Sequence, residues 1–253
     1  MKHTLALSLL ILCFLSASHA QEAAQKLSFE DGRQYVGEVK AGKMHGEGVL
    51  TYPDGAVYRG AFVEGMRQGK GLHTFKDGKS TYKGDFLRDK PEGEGEINMD
   101  GIFAIKGAFK NGAAHGQAIK TYPSGDTFEG IFRGNLHISG TYRWANGDAY
   151  RGPHDGHLPH GKGVRRFANG DVYAGTFKRG VIDGDGTYQY ADGGVYEGAF
   201  KDGMMEGQGE MRFPDGSSYR GAWVADQMHG KGMYRLKTGR KLLGTFNEGV
   251  FVD

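Results

Sequence analysis

Residues 196–218 read YEGAFKDGMMEGQGEMRFPDGSS, and this stretch decides the architecture. Tyr196, Gly198 and Phe200 alternate with Glu197, Ala199 and Lys201, the two-residue period of a strand with one buried face. Gly203 ends that run, Gly207-Gln208-Gly209 opens a return strand, and Glu210 to Phe213 continue it. Asp215-Gly216 follows, a pair suited to a two-residue type I′ turn. The stretch predicts a β-hairpin joined by a tight turn to whatever comes next.

What comes next is the same unit again. Units start at Tyr35, Tyr58, Tyr82, Ile105, Phe128, Tyr150, Tyr173, Tyr196 and Tyr219, in steps of 22 to 24 residues. Nine repeats thus fill residues 35–241, with a capping half-repeat at 21–34 and a partial capping repeat at 242–253. A short period kept throughout is the signature of a repeat array, and it leaves no span for a linker or second domain. The fifth position of the unit reads Val39, Phe62, Phe86, Phe109, Phe132, His154, Phe177, Phe200 and Trp223. Stacking such hairpins buries each aromatic row against its neighbours. The expected fold is all-β: an elongated single-layer antiparallel sheet of tandem hairpins, about 95 Å long at a strand spacing of about 4.8 Å.

Composition agrees. The chain has 45 glycines in 253 residues, with no collagen period, and 12% aromatic residues. So many aromatics argue against disorder. A net charge of +2 from 32 basic and 30 acidic residues points to no nucleic-acid partner. At the N-terminus, Lys2, an apolar run from Leu5 to Leu15 and Ser18-His19-Ala20 have the layout of a cleaved signal peptide over residues 1–20. The apolar run is too short to span a bilayer. Cleavage would remove Cys13, the one cysteine, and with it all thiol chemistry. An exported protein is expected, periplasmic first, secreted or envelope-associated otherwise.

Tyr58-Arg59-Gly60-Ala61-Phe62 leading to Gly69-Lys70-Gly71, and the matching segments of residues 196–218, resemble the MORN repeat. The resemblance implies a twisted ribbon with an aromatic groove. It also implies protein binding, dimerisation or contact with membrane phospholipid. Two units depart from the pattern. The fifth is one residue short, with Ser139-Gly140-Thr141 in place of Gly-x-Gly, and the sixth carries Pro153-His154 where a β-former and an aromatic belong. A distortion is expected near residues 134–160.

No nucleophile lies in a catalytic motif, turn geometry accounts for the Asp-Gly pairs, and no cofactor is expected. His154, His157 and His160, with Asp155 between them and His137 one unit earlier, are the candidate metal ligands, but no metal site is expected. His160, however, recurs as His45, His115 and His229 in other units and reads as turn chemistry. The seventeenth position changes from Thr51, Thr74, Asn98 and Thr121 to Arg143, Arg166, Gln189, Arg212 and Arg235. Period-2 alternation puts this column on the face opposite the aromatics, with Arg151 and Arg220 beside it as a basic ridge. The groove candidates are Tyr58, Phe62, Phe86, Phe109, Phe177, Tyr196, Phe200 and Trp223. The leading expectation is a non-catalytic scaffold binding a protein partner, or itself as a homodimer, through its groove or edge strands. The alternative is peripheral binding of anionic phospholipid or an envelope polyanion through the ridge.

Overall fold

The computed structural model describes residues 24–252, so the expected leader lies outside the described residues. Twenty-two strands run from Gln25–Ser28 to Val250–Phe251 in one antiparallel sheet. Each strand pairs with the ones before and after it in the chain, except at Leu158–Pro159, which pairs only with the strand before it, and the first and last strands do not meet. Among the described residues no helix is long and apolar enough to cross a membrane.

The eighth unit shows how one hairpin is built. Strands Val195–Lys201 and Met204–Arg212 pair Tyr196 with Met211 and Gly198 with Gly209. The register then slips: Phe200 faces Met205, leaving Glu206, Gly207 and Gln208 opposite Ala199. Gly207 takes the positive φ of 78° that the bulge needs. Tyr196 is fully buried although the sheet has a single layer, packed between the rings of Phe200 and Trp223.

The turns are distributed differently from the sequence expectation. The type I′ geometry sits at the hairpin tips, where both central residues have positive φ: Ala41-Gly42, Arg88-Asp89, Asn111-Gly112, Arg179-Gly180 and Asp202-Gly203 among them. The Asp-Gly links between hairpins are three-residue loops instead. At Pro214-Asp215-Gly216, Phe213 N–H donates to Ser217 O and Gly216 N–H to Phe213 O, with φ positive at Gly216 alone. The Asp215 carboxylate accepts from Ser217 N–H at 2.9 Å. The same loop forms at Ala191-Asp192-Gly193, where Tyr190 N–H donates to Gly194 O, so it does not depend on the proline.

The core is a chain of edge-to-face rings. Tyr58 meets Phe62 of its own unit at 5.1 Å and Phe86 of the next at 4.9 Å; Tyr82 repeats this with Phe86 and Phe109. Tyr173, Tyr196 and Tyr219 do the same with Phe177, Phe200, Trp223 and Phe246. Each tyrosine lies over the paired glycines of its unit, where a Cβ on Gly209 would overlap the Tyr196 ring. Its hydroxyl donates to a backbone carbonyl, as Tyr196 does to Ala199 at 3.1 Å. Burial pushes these phenols up, to about 12 at Tyr58, Tyr82 and Tyr173. The fourth unit has Ile105 in place of the tyrosine and Ala118 in place of the second glycine: where no ring covers the backbone, a methyl group fits.

The expected distortion is present. Strand Ala149–Asp155 pairs at one end with Leu158–Pro159 and at the other with Gly161–Arg166, so the return strand is broken in two. The residue missing from the fifth unit is missing from its bulge: only Ile138 and Ser139 stand between the pairs Phe132–His137 and Gly130–Gly140. The apolar core accordingly falls into two clusters, one ending at Phe132 and the other beginning at Tyr150.

Candidate interaction surface

The aromatic face is closed. Tyr58, Phe62, Phe86, Phe109, Phe177, Tyr196, Phe200 and Trp223 are each no more than 6% exposed. They hold the ribbon together and cannot line an open groove, which corrects the sequence expectation. Each ring is covered by the rings of its own and the neighbouring unit.

The open concavity lies on the other face. Four cavities follow one another along the ribbon, of about 630 Å³ at residues 47–106, 510 Å³ at 117–153, 970 Å³ at 162–220 and 420 Å³ at 208–245. They are lined by the same positions of the unit. The glycine pairs form the floor, which is bare because their Cβ positions turn to the tyrosine rings on the other face, and charged residues form the walls. In the first cavity the walls carry Arg59, Lys83 and Lys106 against Glu47, Glu94 and Glu96. In the third they carry Lys162, Arg212 and Arg220 against Asp185, Glu197 and Glu210. The four follow one line along the sheet and make a trough, with walls of mixed charge in the first three and basic, from Arg220 and Lys231, in the last.

The basic ridge flanks this trough on the same face. Arg143, Arg151, Arg166, Arg212, Arg220 and Arg235 are all exposed and alternate with inward-facing neighbours. It is not uniformly basic, however. Glu210 accepts from both Arg212, at 3.1 Å, and Arg220, and these two cations hold its carboxyl below the usual range. Arg143, Arg151, Arg166 and Arg235 make no ion pair with any described residue.

The sixteenth position, one residue before the ridge, faces the aromatics and holds cations that sequence reading missed. Arg165 lies over the Trp144 and Phe167 rings at 4.9 and 4.6 Å and reaches Asp148 at 2.7 Å. Burial pushes the Asp148 carboxyl up, but hydrogen bonds from Arg165 and Ala168 outweigh it and leave it below the ordinary value. Lys120 sits between Phe103 and Tyr122 at 4.4 and 4.8 Å, its ammonium pKa lowered by burial. The signal was available: a column alternating with an exposed one points inward, whatever its residue type.

Of the candidate histidines, three converge and His160 stands apart. His160 accepts from Arg179 N–H at a hairpin turn, 3.4 Å away. His137, fully buried, meets His154 at 5.8 Å and His157 at 4.6 Å between ring centres. Among the described residues no three His, Cys, Asp or Glu side chains are arranged to hold a metal ion.

The model of the MORN repeat matches nine consecutive segments: residues 35–57, 58–80, 82–97, 106–127, 128–149, 156–172, 173–195, 196–218 and 219–239. The chain belongs to the MORN-repeat family. The two shortest MORN matches lie in the third and sixth units, the sixth being the one whose return strand is broken. No match is found among curated proteins. Among solved structures, the TCP10 domain of Danio rerio CPAP is 15% identical, covers 88% of this chain and 100% of its own, and superposes with a TM-score of 0.44. The SAS-4 (dCPAP) TCP domain of Drosophila melanogaster, solved with a proline-rich motif of Ana2, is 10% identical, with coverages of 96% and 99% and a TM-score of 0.32. Neither superposition is close enough to transfer a ligand or a role to this MORN ribbon.

Proposed function

We propose that the protein is an exported, non-catalytic MORN scaffold that holds an extended segment of a protein partner along the glycine-floored trough. The observation that carries this reading is the alignment of four cavities on identical repeat positions. A small molecule needs one enclosed, mostly apolar pocket, whereas a long shallow trough with charged walls offers a peptide paired side chains at each step. A photo-crosslinking residue at Thr187, on the trough wall, is expected to capture the partner's peptide in envelope extracts. The same residue at Val181, at a hairpin tip, is expected to capture none. Equal capture at both sites would reject the trough as the contact surface. Export is tested separately: the protein recovered from the producing cells should begin at Gln21.

A second reading, binding of anionic lipid or an envelope polyanion, is favoured by the unpaired Arg143, Arg166 and Arg235. Co-sedimentation with anionic vesicles that weakens with salt and is lost on changing Arg143, Arg166, Arg212 and Arg235 to Ser would support it. Absence of binding at low salt would remove it.

A further inference from the structure

The ring chain that ties the units together is interrupted by imidazole at one place. His154 occupies the position of the phenylalanine and touches Phe128 at 5.0 Å and Tyr150 at 5.1 Å, so it joins the last ring of the first cluster to the first ring of the second. His137 stacks on Phe128 at 3.7 Å with its ring 5° from parallel. Its two nitrogens have no hydrogen-bond partner, and neither has Nε2 of His154. Nδ1 of His154 contacts Gly152 O at 3.1 Å. His157, on the exposed turn, closes over His137.

The titratable and charged groups that face this cluster are all basic or neutral. Strand Ala113–Thr121 contributes Lys120, strand Leu136–Arg143 contributes Tyr142, 6.3 Å from His137, and strand Ala149–Asp155 contributes Tyr150 beside His154. Tyr142 donates its hydroxyl to Asp126 at 3.0 Å and remains a neutral phenol. The charges that bear on the three rings are one another's and that of Lys120. A proton arriving here finds no carboxylate to meet it. The cluster also lies where the ladder is weakest, beside the broken return strand of the sixth unit.

We propose that His137, His154 and His157, with Lys120, form an acid-sensitive latch whose protonation opens the seam between the fifth and sixth units and lets the two halves of the ribbon pivot, while the rings within each half stay closed. Closed, His137 and His154 are shut from water and need neutral imidazoles; open, each histidine takes up a proton as it would in a peptide.

The sign follows from linkage. Burial, and then the neighbouring bases, hold His137 down to about 3, against about 6.5 in the open state. Between these values the open state binds more protons, so closure is favoured above about pH 6.5 and weakens as pH falls toward 3. The opening constant should rise up to tenfold per pH unit for each histidine released.

Hydrogen exchange resolved by peptide tests this on the chain from Gln21 onward, which contains every strand. Rates would be corrected for intrinsic pH dependence and compared at pH 7.5, 6.0 and 4.5. Peptides from residues 127–166 are expected to lose protection at least tenfold at pH 4.5, while peptides from 35–80 and 196–239 keep theirs. His154→Phe with His137→Met, which install residues used at those positions in other units, should remove the pH dependence and keep neutral-pH protection. Should that variant not fold, Lys120→Met should move the opening to lower pH. Unchanged protection at the seam, a loss spread evenly over all units, or wild-type pH dependence in a folded variant would each overturn the latch.

Discussion

At the scale of single residues, the fold rests on the fit between a tyrosine ring and the two glycines beneath it. A methyl group on Gly209 meets the Tyr196 ring and cannot be relieved by a rotamer change, since the ring is packed from both sides. Gly209→Ala should therefore destabilise the protein by about 3 kcal/mol, at the upper end for overpacking, read as a lowered midpoint in urea. The fourth unit supplies the complementary case. Ile105→Tyr alone should lower the midpoint, because Ala118 occupies the space of the missing glycine; adding Ala118→Gly should restore it. Double-mutant coupling near zero would refute this pairing. Much of this was legible in the sequence: glycine alternating with an aromatic is interpretable as room for a ring. The inward column at the sixteenth position was not, because Lys120 and Arg165 look like surface residues until their aromatic partners are known.

At the scale of the hairpin, the tips are where geometry and residue type conflict. Arg88-Asp89 and Ala225-Asp226 place side chains at two successive positive φ angles where most other tips use a glycine. The left-handed conformation costs about 1–2 kcal/mol for a residue with a Cβ, so Arg88→Gly and Ala225→Gly should each raise stability by about 1 kcal/mol, seen as an increased Tm. Links between hairpins are held by carboxylates: Asp171 accepts from Ala191 N–H and Tyr188 O–H, both at 2.8 Å. Asp171→Ala leaves both donors without that partner and should cost about 1–3 kcal/mol, with Asp171→Asn recovering part. A hairpin was readable in each unit from alternation alone, yet its turns were assigned to the wrong ends. Asp-Gly fits two turn types, and the preceding residue does not distinguish them, since Pro214-Asp215-Gly216 and Ala191-Asp192-Gly193 form the same loop.

At the scale of the whole ribbon, every unit touches only its neighbours, so units are exchangeable parts. Excising residues 196–218 should leave a folded, shorter protein with a lower Tm, because Tyr173 and Trp223 can form the same ring contact that Phe200 now provides. Loss of folding on excision would show that contacts beyond neighbouring units matter. The array, its period and its irregular sixth unit were visible before any coordinates. The side of the open cavities was not, since alternation separates two faces without saying how tightly the rings of one will pack.

The meander has a mechanical consequence. Because the first and last described strands are the two edges of the ribbon, and each strand is bonded only to strands next to it or one further along the chain, a pull on those two strands loads the edge hairpins first and never the whole sheet at once. The ribbon should yield one unit at a time, each step of 23 residues releasing about 80 Å of slack, so that under tension the protein behaves as an extensible tether that shortens again when the load is removed.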